Sequence, residues 1–204
     1  MLDSNILFAI PGIIVSFTIY GYAQAKAATM LGDPTPRAEG RLTLNPIPHI
    51  EPWGLIVMCF ASFGWGRSMP INIRNFADPG KDLMVVSLAG LAANLLAAFL
   101  ATLIMFILIK IGMITDWAFI MLRLIAWYNV MFAVLNMIPI PPLDGSRVLA
   151  YFLPPRLAYQ YQSYSQYGFI ILIMLIFFLN FGALIRPIIG AILGGMQWIL
   201  SLFF

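Results

Sequence analysis

The run from Leu83 to Ile111 constrains this chain more than any other feature. It is apolar throughout with one formal charge, Lys110, and a helix needs about 20 such residues to cross a bilayer. Comparable runs cover Asn5 to about Leu31, Trp117 to Met137 and Gly168 to Ile185. In hydrocarbon each must satisfy its own backbone donors and acceptors, which leaves helices or closed barrels. A barrel strand reads as about ten residues of alternating polarity, whereas these runs are continuous. The composition agrees, with 62% hydrophobic and 9% charged residues against about 25% charged in soluble domains. The sequence therefore predicts an all-α polytopic membrane protein, residues 1–204 forming one integral membrane domain with about four transmembrane helices. Two apolar stretches fit less simply. Trp53 to Trp65 is about 13 residues, too short to cross and suited to a re-entrant or interfacial position. Pro187 to Phe204 is a final apolar segment that Arg186 and Pro187 break off from the fourth span.

A carboxylate sits where such a chain least tolerates one. Asn136 to Arg147 reads Asn-Met-Ile-Pro-Ile-Pro-Pro-Leu-Asp-Gly-Ser-Arg, placing Asp144 at the end of the third run. An acid near bilayer depth costs roughly 2.5 to 3.5 kcal/mol and marks a functional position by default. Pro139, Pro141 and Pro142 remove backbone donors and prevent a continuous helix, and the freed carbonyls need protein or water around them. A polar cavity facing Asp144 is the expectation. On the first span, Tyr20 and Gln24 lie four residues apart on one helical face with Gly21 beside them. Further polar groups at membrane depth are Asn94, Asn129 and Asn136. Asn94 adjoins a stripe of small residues, Ala89, Ala93, Ala97 and Ala101, that lets another helix approach closely.

The Asp144 segment resembles the Asn-x-x-Pro-x-Pro-x-x-Asp-Gly stretch of the site-2 protease family, intramembrane zinc metalloproteases. The similarity extends through Leu31-Gly32-Asp33-Pro34-Thr35, Gly40 to Pro46, Asn45 to Pro52, Gly64 to Asn72 and Asn94, covering about residues 20–150, most of the chain. The resemblance implies a site-2 protease-like core over about residues 5–153, followed by C-terminal helical segments over 168–204. It gives Asp144 the place of the third zinc ligand. Aligned on the same segments, the family's His-Glu-x-x-His motif falls on Tyr20 to Gln24. Tyr20 then stands for the first histidine, Gly21 for the glutamate general base and Gln24 for the second histidine. Zinc takes His, Cys or carboxylate ligands, three of them at a catalytic centre, so no intact catalytic residues remain, and neither zinc nor another cofactor is expected. Tyr20 and Gln24 are both able to donate to Asp144, filling the metal's place; left unpaired, Asp144 would be protonated instead. Arg37 to Pro52 is expected to be a small extended or β-like surface element, from its alternation at Arg41 to Leu44 and its X-Pro pairs.

The sole histidine, His49, belongs to the resembling loop without being a zinc ligand there. A rebuilt centre of His49, Glu51 and Asp144 has acceptable ligand types, but no spacing demands it. Tyr20, Gln24, His49, Asn94, Asn136 and Asp144 are accordingly candidates for lining a cavity or binding a partner. The single cysteine, Cys59, excludes an internal disulfide and reads as a small buried hydrophobe. Met1 to Asn5 carries no basic run, so no cleaved signal peptide is expected. Eight cations, Lys26, Arg37, Arg41, Arg67, Arg74, Lys81, Arg147 and Arg156, fall on one side if Trp53 to Trp65 re-enters; Lys110, Arg123 and Arg186 fall on the other. The richer side should be cytoplasmic, which implies a multi-pass protein of the cytoplasmic membrane. The net charge of +3 reflects that bias and not nucleic-acid binding. An inactive relative acting through other membrane proteins or a transmembrane peptide is the leading expectation. An active protease with a non-standard zinc site is the alternative, and a small transporter is disfavoured because no inverted repeat is visible.

Overall fold

The computed structural model describes residues 5–61, 64–178 and 181–204, and among them every regular element is helical. Helix α1 spans Asn5–Met30, α2 Thr35–Ala38, α3 Pro52–Ala61, α4 Pro79–Lys110, α5 Asp116–Asn136, α6 Asp144–Phe152, α7 Pro155–Ser163, α8 Ser165–Phe178 and α9 Phe181–Ser201. Four of these are long and apolar enough to cross a membrane, over Phe8–Met30, Pro79–Lys110, Asp116–Asn136 and Gly182–Ser201. A multi-pass membrane protein follows from their length and composition.

The helix starts are written locally. Asp78 accepts from the backbone of Lys81 at 3.1 Å, with Pro79 in the first turn of α4, and Thr115 accepts from Ala118 at the start of α5. Such side-chain acceptors satisfy donors that the first helical turn leaves free. Helices α1, α4 and α5 pack on one another around Ile13, Phe17, Leu91, Ala98, Val130 and Phe132. The Phe17 and Phe132 rings lie 4.9 Å apart and the Tyr20 ring stands edge-on to Phe132 at 5.0 Å. Helix α9 covers α5 and α4, burying Ile189.

Three expectations need correction. The β-like element over Arg37 to Pro52 is absent, since no strand occurs among the described residues. Its prolines decide this. Pro46 holds φ −67° and ψ −29°, leading into a 3-10 turn over Ile47–His49, and Asn45 Oδ1 accepts from Ile47 N at 3.2 Å. Prolines also lack the N–H that pairing with a neighbouring strand requires. Second, Arg186 and Pro187 do not end a span, because Pro187 lies inside α9, as transmembrane helices permit when neighbours re-satisfy the freed backbone groups. Third, among the described residues the fourth helix long and apolar enough to cross a membrane lies within α9, which begins before Ile185, while the run from Gly168 carries α8, described over Ser165–Phe178. The stretch from Trp53 begins one residue inside the ten-residue α3, Pro52–Ala61. Cys59 lies in α3, outside the described side chains.

Candidate functional site

The prolines after Asn136 turn the chain between α5 and α6, and Asp144 is the first residue of α6. A helix N-terminus favours a carboxylate there, through its free N–H groups and the positive end of the dipole. Tyr20 and Gln24, one turn apart on α1, face it. The Tyr20 hydroxyl donates to Asp144 Oδ2, and Gln24 Nε2 donates to the same oxygen at 2.5 Å. The other oxygen, Oδ1, accepts from Arg147 at 2.8 Å and from Ser87 of α4 at 3.3 Å. Asp144 is therefore buried with four donors drawn from three helices. Gly90 permits this convergence: a Cβ there would lie 2.8 Å from the Tyr20 ring, so any larger residue would push α4 away from α1.

A cavity of about 280 Å³ opens beside the carboxylate. Tyr20, Gln24, His49, Asn136 and Asp144 line it together, with Gly21 between them. Asn136 Nδ2 donates to Phe132 O at 2.9 Å. Asn94 belongs elsewhere: it is fully buried in α4, does not line the cavity, and neither of its amide atoms has a partner among the described residues. It forms no interhelical hydrogen bond among the described residues. Glu51 does not line the cavity either, and among the described residues no three His, Cys, Asp or Glu side chains come together to hold a metal.

His49 is almost fully buried, with 1% of its surface exposed, and its Nε2 lies 2.8 Å from Thr43 O. Burial pushes its pKa down, the Thr43 carbonyl opposes this, and the nearby Arg41 charge adds to the lowering. The ring is thus neutral near pH 7, with Nε2–H donating to Thr43 and Nδ1 left as an acceptor. Nδ1 has no partner among the described residues, and it faces the bare Cα of Gly21, where a Cβ would collide with it.

The donor set does not fit zinc. A phenol and a carboxamide stand opposite the one carboxylate, and both spend their hydrogens on it, whereas zinc requires thiolate, imidazole or carboxylate ligands. The arrangement is a closed hydrogen-bond cluster with a guanidinium as counter-ion.

Residues 5–179 match the model of Peptidase family M50. The chain belongs to this family, the site-2 proteases. It is 37% identical over 172 residues to "Putative zinc metalloprotease YwhC" of Bacillus subtilis (strain 168), covering 80% of this chain and 77% of the relative. It is 29% identical over 174 residues to "Putative zinc metalloprotease Rip2" of Mycolicibacterium smegmatis, covering 83% of this chain and 66% of that protein. A Rip2 of Mycobacterium tuberculosis is 28% identical over 176 residues. No solved structure matches. This M50 chain is a divergent member whose described residues contain no metal-binding group of three.

Sequence reasoning on this M50 chain missed Ser87, Gly90 and Arg147. Arg147 was findable, since three residues after Asp144 on a helix is one turn away and favourable for an ion pair. Ser87 and Gly90 carry no local signal and become relevant only once α4 is packed against α1.

Proposed function

We propose that this chain is a proteolytically inactive site-2 protease homologue that works by holding a membrane partner. Tyr20, Gly21 and Gln24 take the positions of the family's two zinc-binding histidines and its glutamate base. The observation that carries the reading is the full occupation of the Asp144 carboxylate by Tyr20, Gln24, Ser87 and Arg147. A carboxylate so engaged has no lone pair directed to a metal. A cutting site would also have to activate water without a base, and such groups contribute about 10² to 10⁴ in rate. The cavity remains, with apolar walls from Phe17, Phe132 and Leu135 and polar groups at one end. That combination suits an extended segment of a transmembrane partner. The excess of Lys and Arg on the cavity's side, if Trp53 to Trp65 re-enters, supports a cytoplasmic position for that end.

The test is photo-crosslinking in native membranes from a benzophenone side chain at Leu135. The reading expects partners trapped at full length. Partners truncated within the membrane, and restored to full length by Asp144→Ala, would overturn it.

A further inference from the structure

The interior holds one amide that nothing around it satisfies. Asn94 is 0% exposed, and among the described residues neither its Nδ2 nor its Oδ1 has a partner. The buried asparagines of α5 behave differently. Asn129 and Asn136 each donate to the carbonyl four residues back, to Ile125 O at 2.8 Å and Phe132 O at 2.9 Å. Asn94 makes no such bond, so both ends of its amide are left for something outside its own helix. Buried polar groups of this kind are costly unless protein or an ordered water meets them.

Two further buried polar groups lie at the same depth. Gly12 packs on the backbone of Leu124 and Ile125, and Tyr20 packs on the Phe132 ring, so α1 and α5 run side by side and Ser16 comes level with Asn129. Gly90 packs on the Tyr20 ring, and α4 runs on towards the end of the bundle where α5 begins. One turn beyond Gly90, Asn94 therefore reaches the level of Ser16 as well. Each of the three sits on the core stripe of its helix: Ser16 between Ile13 and Tyr20, Asn94 between Leu91 and Ala98, Asn129 between Ala126 and Ala133. All are fully buried. Asn129 Oδ1 has no partner among the described residues, and the Ser16 hydroxyl, which donates to Ile13 O at 2.8 Å, still has lone pairs with which to accept. The adjoining layer, towards the start of α1, is Gly12, Ala98 and Ala126, so no bulky side chain from it crowds the amides.

Three helices thus bring one NH2 donor and three neutral acceptors together. A metal cation would meet no carboxylate there and would face the NH2 hydrogens. An anion would meet no charge. Water answers donor and acceptor alike, and a buried water typically makes about three hydrogen bonds.

We infer that this layer binds water spanning Asn94 and Asn129. One molecule accepts from Asn94 Nδ2 and donates to Asn129 Oδ1, and a neighbouring one donates to Asn94 Oδ1 and Ser16 Oγ. The site is separate from the cavity, which none of the three residues lines. It fixes the mutual setting of α1, α4 and α5, two of which carry Tyr20, Gln24 and Ser87 to Asp144.

The experiment is X-ray hydroxyl-radical footprinting of the full chain in lipid nanodiscs, read by mass spectrometry. Radicals formed from a bound water oxidise the side chains beside it, however deeply they are buried. Val130 and Leu91, neighbours of Asn129 and Asn94 that do not line the cavity, are expected to be oxidised several-fold more than Ile189, an equally buried residue of α9. Asn94→Leu, which removes the amide at nearly constant volume, should bring both down to the level of Ile189. Asn129→Leu should do the same and serves where the first variant fails to assemble. Val130 and Leu91 labelled no more than Ile189 in the unaltered protein would overturn the assignment, as direct pairing of the amides would leave no water to label. Labelling that persists in the leucine variants would also overturn it, since the water would then not be held by these amides.

Discussion

Asp33 and Asp144 are both buried carboxylates with four hydrogen bonds, yet they do different work. Asp33 follows α1 and accepts from Thr35 N, Thr35 Oγ1, Asn72 N and Asn75 Nδ2 at 2.6 to 3.1 Å. Half of those donors are backbone amides, none is charged, and they tie one loop to another. Asp144 is held by side chains alone, from α1, α4 and its own helix, with a guanidinium among them, and it faces a cavity. Equal hydrogen-bond counts therefore hide a difference in kind. A loop clasp needs nearby neutral donors, whereas a carboxylate facing a cavity between helices is held by donors drawn from distant parts of the chain.

The strongest way to break this comparison is Asp144→Ala. Removing one partner of a buried pair costs about 3 to 5 kcal/mol, and here four donors lose their shared acceptor. Unfolding of the detergent-solubilised protein by SDS should show that loss, with Asp144→Asn losing much less. A loss no larger than that of Asp33→Ala would end the distinction.

Asp33→Ala is next, at about 1 to 3 kcal/mol for donors left unsatisfied. Hydrogen exchange should rise at Asn72 and Thr35 and stay unchanged around Tyr20. Asp33 also sharpens the contrast through pH. Burial raises its pKa, but the hydrogen bonds from Thr35, Asn75 and Asn72 together outweigh this and lower it. Its stabilisation is therefore present above the unfolded carboxylate value of about 3.9 and is lost as pH falls through the folded value. Asp33→Asn should flatten that acid limb.

Tyr20→Phe should cost about 0.6 to 1.7 kcal/mol, the range for one hydrogen bond in a membrane bundle, while leaving the Phe132 contact in place. The smallest effect belongs to His49. Its pKa is lowered by burial, so the unfolded chain binds the proton more readily. Stability should fall as pH drops from about 6.5 towards the folded value. His49→Gln should abolish this slope in a pH series of melting curves.

Much of this was legible in the chain. The long apolar runs announced α1, α4 and α5, and the one acid after three prolines announced the cavity. Tyr20 and Gln24 were legible as a pair because helical spacing puts them on one face. The failures have physical causes. The Arg41 to Leu44 alternation suggested a strand, but the prolines that follow favour turns and offer no donors for pairing. Pro187 looked like a stop, yet a helix packed against α4 and α5 tolerates it. Asn94 looked like a site residue because it is polar at membrane depth, and depth alone does not aim a side chain at a cavity.

The central claim is that hydrogen-bond donors stand where a metal would, and the metal content of the purified protein tests it most directly, measured beside Asp144→Ala. The account predicts no stoichiometric zinc in either preparation. Zinc near one ion per chain, lost in Asp144→Ala, would contradict it and make His49 and Glu51 the first side chains to test as ligands.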